Sequence, residues 1–247
     1  MKPLLCSLLL LFAFSSNAQA PEAVPLAKEP HHHLVLENDY VRVFRVSVPA
    51  HAATLLHQHD FPYLYLSLGP ADVVNAVQGK PEGRIVMADG QVGYSPGHFA
   101  HIARTDAGST FDNVTIELLK PQGEPRNLCE QVLPGAATGP CQKMSADAKK
   151  GYSIVPQIET GEIKLDLVRL GPNATKIGIT PQTGTLFVVL SESEVQFNAE
   201  GSQIKTLRGG EVLWLGAGSH QSLANPRTSP SSYLQLSLKD SGAVPKP

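Results

Sequence analysis

The first half of this chain is patterned with a period of two. Residues 40–48 alternate β-branched or aromatic positions with polar ones and stop at Pro49, which reads as a strand. Residues 54–59 and 63–68 read as two further strands, broken at Pro62, and Gly69-Pro70 closes them with a turn. Strands are predicted over 71–77, 84–87 and 92–95, separated by a turn at 79–83 and a hairpin-type turn at Asp89-Gly90. Pro96-Gly97 then leads into strands over 101–104 and 113–119. No 3.6-residue period interrupts this pattern, so the unit is predicted to be all-β.

Residues 120–152 break the alternation with four prolines and a short polar stretch at 145–150, where one or two helical turns are expected. The same order of parts then returns. A strand over 163–170 followed by Gly171-Pro172 repeats residues 41–48 followed by Pro49, and 186–190 repeats 64–68. Gly210, five residues and Gly216 repeat Gly90, five residues and Pro96, with Trp214 in the place of Tyr94. Residues 233–238 stand where 114–119 do, giving an internal repeat of about 120 residues. The predicted organisation is a leader over 1–20, an exposed lead-in over 21–33, a first barrel over 34–120, a linker over 121–152, a second barrel over 153–240 and a tail over 241–247.

The leader changes the picture of where the chain works. Lys2, an apolar run over 4–14 and Ala18-Gln19-Ala20 have the pattern of an export signal, and the run is too short for a membrane span. A mature chain starting near Pro21, periplasmic or secreted, is expected, with no membrane attachment once the signal is removed. It retains two cysteines, Cys129 and Cys141, and an even pair in an exported protein points to a disulfide; two free thiols are the rival reading. Gly 21 and Pro 20 suit many turns. A net charge of −2 with no basic run gives no footing for nucleic acid. The sequence leaves the oligomeric state open, a homo-oligomer among the options.

The candidate chemistry lies in the histidines. His57 and His59 are one residue apart on a predicted strand, so they face the same side. His101 follows the Pro96-Gly97 turn and can complete a metal site on a β-framework. His31, His32 and His33 could bind metal loosely, though such a run more often reads as a polar strand entry, and His51 and His98 read as turn residues. Gln58 should face away from its neighbours. Arg42 and Arg45 have opposite parity, so one is expected inward, where it could pair with a substrate carboxylate. Glu117 is the best replacement carboxylate should the metal need one.

These residues carry a resemblance. His57-x-His59, an intervening hairpin, then Gly90, five residues, Pro96 and a histidine five residues later resemble the two motifs of the cupin superfamily, over roughly residues 41–119. The second half resembles a cupin in layout only. The resemblance implies an all-β fold of two tandem cupin (jelly-roll) barrels, a bicupin, with a metal-type first barrel and a degenerate second one. It also implies one divalent transition metal (Fe, Mn, Zn, Ni or Cu) in the first barrel. His57, His59 and His101 match its ligands, while the glutamate of the usual first motif falls on Tyr63, or on Leu64 with the longer spacing. The set is then three histidines without a carboxylate, similar to that of the thiol and diketone dioxygenases of the cupin class. Tyr63 and Tyr65, sharing parity, are the candidate catalytic residues on the substrate side. In the second barrel Ile179 and Pro181 fall at the places of His57 and His59, His220 lies about one residue from that of His101, and Trp214 is expected as core anchor. Two functions follow: an exported metal-dependent enzyme, oxygenase-like, acting on a small molecule, or a non-catalytic module that binds a small ligand.

Overall fold

The structure, a computed structural model, describes residues 22–106, 108–139, 144–147, 151–174, 177–199 and 203–239. The expected leader and tail and the expected partner cysteine, Cys141, lie outside the described residues.

Ten strands make the first unit. They are β1 (Val24–Pro25), β2 (His32–Glu37), β3 (Val41–Val48), β4 (His57–His59), β5 (Tyr63–Ser67), β6 (Ala71–Val77), β7 (Gly83–Met87), β8 (Val92–Ser95), β9 (Phe99–Thr105) and β10 (Phe111–Leu118). They form two five-stranded sheets, in the orders β1-β4-β9-β6-β7 and β2-β3-β10-β5-β8. The strand expected over 54–59 is pared to His57–His59, because Thr54 instead donates its backbone N–H to the Ala103 carbonyl and its hydroxyl oxygen accepts from the Ala103 N–H.

The second unit holds β11 (Arg126–Asn127), β12 (Met144–Asp147), β13 (Tyr152–Glu159), β14 (Ile163–Leu170), β15 (Ile177–Ile179), β16 (Thr185–Val189), β17 (Glu194–Asn198), β18 (Lys205–Arg208), β19 (Val212–Leu215), β20 (Gln221–Ala224) and β21 (Ser231–Leu238). Its seven-stranded sheet runs β11-β13-β14-β21-β16-β19 with β12 on β13, and its four-stranded sheet β15-β20-β17-β18. Within them β14-β21-β16-β19 and β15-β20-β17-β18 repeat the orders β3-β10-β5-β8 and β4-β9-β6-β7. The repeat read along the chain is therefore a repeat of strand pairing, and the fold is two tandem jelly-roll barrels. Residues 144–147 are extended rather than helical, because they pair antiparallel with β13.

The largest apolar core lies between the barrels. Val41, Val43, Leu66, Val114 and Ile116 of the first pack with Leu165, Leu186, Val188, Leu234 and Leu236 of the second. One face of the sheet holding β3 and one face of the sheet holding β14 are thus spent on each other, in the manner of a sandwich. The segment expected as a linker is docked into this seam. Asn127 accepts from the N–H groups of Val132 and Leu133 and donates to the carbonyls of Leu133 and Ala136, and the Val132 carbonyl accepts from Tyr94 N–H at 3.0 Å. Trp214 belongs to the seam as well, stacked on Tyr40 at 6.1 Å. It does not anchor the second barrel's interior, which is built on Phe187, Phe197 and Tyr233.

The lead-in is only partly exposed and lies along the first barrel. β1 pairs in parallel with β4, placing Val24 beside His57, and Leu26, Glu29 and His32 are 3%, 1% and 9% exposed. The apolar Leu26 has a pocket among Phe44, Val46 and Val48 to fill, and that burial draws the segment onto the barrel.

The two arginines do different work from the one expected. Arg42 forms an ion pair with buried Glu117 at 2.7 Å and lies over the Phe61 ring, while Arg45 donates to the Gly209 carbonyl across the seam. Removing one partner of a buried pair leaves an uncompensated charge. Arg42→Met should destabilise the protein by about 3 kcal/mol, and Arg42→Met with Glu117→Leu should recover most of the loss. Urea unfolding of the three proteins measures this; equal destabilisation of single and double variants would refute it.

Candidate metal centre

The register between β4 and β9 assembles the centre. His57 lies directly opposite His101, and His59 opposite Phe99, so alternation puts all three imidazoles on the inner face. Their ring centroids are 4.5 Å (57–101), 5.1 Å (59–101) and 5.2 Å (57–59) apart. One nitrogen from each lies within 4.8 Å of the others. The turn that sets this register is tight. Gly97 has φ +70°, and a Cβ there would stand 2.0 Å from the Phe61 carbonyl oxygen, so only glycine fits. His98, exposed with φ +61°, completes the turn, its N–H donating to the His59 carbonyl. His51 is exposed in a turn with φ +58°.

Hydrogen bonds on the far side of the rings select their tautomers. His57 donates Nδ1–H to the Leu55 carbonyl at 2.8 Å, and His101 donates Nδ1–H to Asn75 Oδ1 at 2.6 Å. Both acceptors lack a proton to give, so each Nε2 carries a lone pair. Nε2 of His57, Nε2 of His101 and Nδ1 of His59 are buried and unpartnered. Three such atoms, each costing about 1–3 kcal/mol when left unsatisfied, are what a divalent metal would satisfy. Burial, together with the neighbouring imidazoles, lowers all three pKa values: His57 to about 4, His101 to about 3, and His59 below either. The rings are therefore neutral at pH 7, the form that ligates.

The surrounding side chains tie the centre to a cavity of about 200 Å³, lined among others by His32, Tyr63, Tyr65, Phe99 and Phe111. Tyr63, at the place of the missing glutamate, stacks on His59 at 4.0 Å and 18°. Burial raises the Tyr63 pKa, offset in part by a hydrogen bond with the Ser95 side chain, so the group stays a phenol. Tyr65 also lines the cavity, and its ring occupies the space over Gly93 where a Cβ would stand 2.2 Å away. Glu117 is not at the centre, since Arg42 holds it. Neither arginine lines the cavity.

One residue was not foreseen. His32, read as part of a polar strand entry, is buried on the cavity wall, 4.8 Å from His57 between ring centroids, with Nδ1 2.5 Å from Glu29 Oε2. Glu29 also takes hydrogen bonds from His31 and from Leu55 N–H. Its burial raises the pKa, but the bonds from His32 and His31, with the charge of His32, outweigh this and lower it to about 2. Three histidines in a row hid His32, because which of them faces inward depends on the pairing of β2 with β3.

The second barrel keeps the register without the ligands. Ile179 pairs with Gln221 where His57 pairs with His101, and His220 is exposed, bonded to the Thr180 hydroxyl.

No family model matches the sequence, and no curated protein matches it. Solved structures do match in fold. The putative glyoxylate-induced protein from Pseudomonas aeruginosa is 11% identical, with a TM-score of 0.61 over 88% of this chain and 85% of that one. Salicylate 1,2-dioxygenase from Pseudaminobacter salicylatoxidans is 10% identical, with a TM-score of 0.58 over 83% of this chain and 75% of that one. The cupin 2 conserved barrel domain protein from Leptotrichia buccalis is 9% identical, with a TM-score of 0.51 over 84% and 88%. The fold is that of the cupins.

The neutral imidazoles make the metal-free protein acid-sensitive. A histidine whose pKa is depressed by folding contributes stability that is complete above its unfolded value, near 6.5, and is lost as pH falls toward the folded value. The denaturation midpoint of metal-free protein should fall between pH 7.5 and pH 4.5, and this dependence should be shallower in His57→Gln. An unchanged slope in that variant would contradict the assignment of neutral buried rings.

Proposed function

We propose that the chain is an exported, metal-dependent cupin enzyme of oxygenase type acting on a small molecule, with a metal-type first barrel and a degenerate second one. The observation that carries this reading is the set of three buried imidazoles, each with a nitrogen free of protein partners, beside a cavity of about 200 Å³. His57, His59 and His101 hold the metal, which can be Fe, Mn, Zn, Ni or Cu. A metal bound by three neutral ligands supplies Lewis acidity and keeps coordination positions open to substrate and O₂. The Leu55 carbonyl and Asn75 hold two of the rings in the ligating tautomer. Tyr63, a phenol fixed against His59, offers a hydrogen bond to a ligand at the metal, and Tyr65 shapes the far wall. Support also comes from the fold-level likeness to a dioxygenase structure.

The rival reading is a small-ligand-binding module without catalysis. The degenerate second barrel favours it, while the cavity against the imidazoles favours the enzyme. In the export reading, Cys129 and Cys141 form a disulfide in the mature chain.

Protein purified from its native compartment should carry close to one equivalent of transition metal. His57→Ala should lower metal content at least roughly tenfold while remaining folded by circular dichroism, since losing one of three ligands removes much of the affinity. Retention of full metal content by a folded His57→Ala protein would sink the assignment. Metal retained by wild type with no O₂ consumption across a small-molecule panel would favour the binding module.

A further inference from the structure

The proposed reading leaves the ligand unspecified, and the cavity wall narrows it. Among the described residues, no Lys, Arg, Asp or Glu lines the cavity. The polar side chains on the wall are largely committed to one another. Asn75 holds His101, and the Thr115 hydroxyl donates to Asn113 Oδ1. The Thr54 hydroxyl oxygen accepts from Ala103 N–H, the Ser95 hydroxyl oxygen accepts from Gly97 N–H, and the Ser95 side chain also bonds Tyr63. The remaining wall is apolar or aromatic, with Val73, Ile85, Met87, Phe99 and Phe111 prominent and the phenols of Tyr65 and Tyr94 as its further neutral polar groups. The free nitrogens are gathered at one end, on His57, His59 and His101.

We infer that the site takes a single-ring-sized molecule whose oxygen donors are gathered at the metal end and whose remainder is apolar and uncharged. This rests on the reading of His57, His59 and His101 as a metal centre. Size sets the first limit: a dry apolar cavity of about 150 Å³ accepts benzene, so about 200 Å³ holds one substituted ring. Charge sets the second. Besides the metal, the wall's one other source of positive charge is His32, which Glu29 holds and which lies 4.8 Å from His57, so the place for an anionic group is the metal end. A second anionic group further along the ligand would lie against apolar side chains with no partner, which disfavours it. Salicylate 1,2-dioxygenase, a fold neighbour also solved as an adduct with gentisate, supplies probes of suitable size.

The test uses Co(II)-loaded full-length mature protein, titrated with salicylate and with 5-sulfosalicylate and read by the visible absorption of Co(II). The two probes present the same donor pair and differ by a sulfonate on the opposite side of the ring. Salicylate should bind at least roughly tenfold more tightly, a difference of about 1.4 kcal/mol. Ile85→Lys, which adds a cation to the half-buried cavity wall, should narrow the gap between the probes if charge rather than bulk sets it. Equal binding of the two probes, tighter binding of the sulfonated one, or no binding of either by the Co(II) protein would overturn the inference and leave the metal centre standing. Failure of Co(II) to bind at all would instead overturn the reading on which the inference rests.

Discussion

The packing of two sheets against each other is the interaction on which this molecule depends. β3, β10, β5 and β8 of the first barrel lie face to face with β14, β21, β16 and β19 of the second, and the largest apolar cluster is theirs jointly. A small jelly roll must ordinarily bury its apolar surface inside itself. Here the outer face of one sheet meets much of that need. The first barrel can then keep an interior of imidazoles, phenols and empty volume that would be a poor core on its own.

The two barrels diverge from one plan in what fills them. The second places Phe187 in ring contact with both Phe197, at 5.2 Å, and Tyr233, at 5.6 Å. The first places His57, His59 and His101 at similar spacings, with Tyr63 stacked beside them. Strand order and register are common to both, so the difference lies in side chains alone. An aromatic cluster stabilises by burial and edge-to-face contact. An imidazole cluster with free nitrogens costs stability unless something coordinates them. That asymmetry leaves one barrel with an aromatic core and the other with a buried imidazole cluster beside a cavity.

The surroundings of the centre divide the work further. Leu55 and Asn75 orient two of the imidazoles through acceptors that cannot donate. Glu29, almost wholly buried, ties the N-terminal segment to His32 and to the Leu55 backbone beside β4. The segment before β2 is therefore part of the wall around the centre. The Arg42–Glu117 pair lies on the inner side of the same sheet but away from the cavity lining. It keeps the one buried carboxylate of β10 occupied, and the centre remains a three-histidine one.

Much of this was legible along the chain. Period-two alternation, the spacing of Gly90 and Pro96 against Gly210 and Gly216, and the pair His57 and His59 are local patterns, and local patterns follow directly from strand geometry. They determined the all-β repeat, the face shared by His57 and His59, and the absence of a histidine at Ile179. What the sequence could not decide depends on contacts distant along the chain. The inward turn of His32 needs the β2–β3 register, the capture of Arg42 by Glu117 needs the β3–β10 pairing, and Trp214 stacks on Tyr40 only because the two sheets meet. A strand's period says which residues share a face. Only the partner strand or sheet decides what that face looks onto.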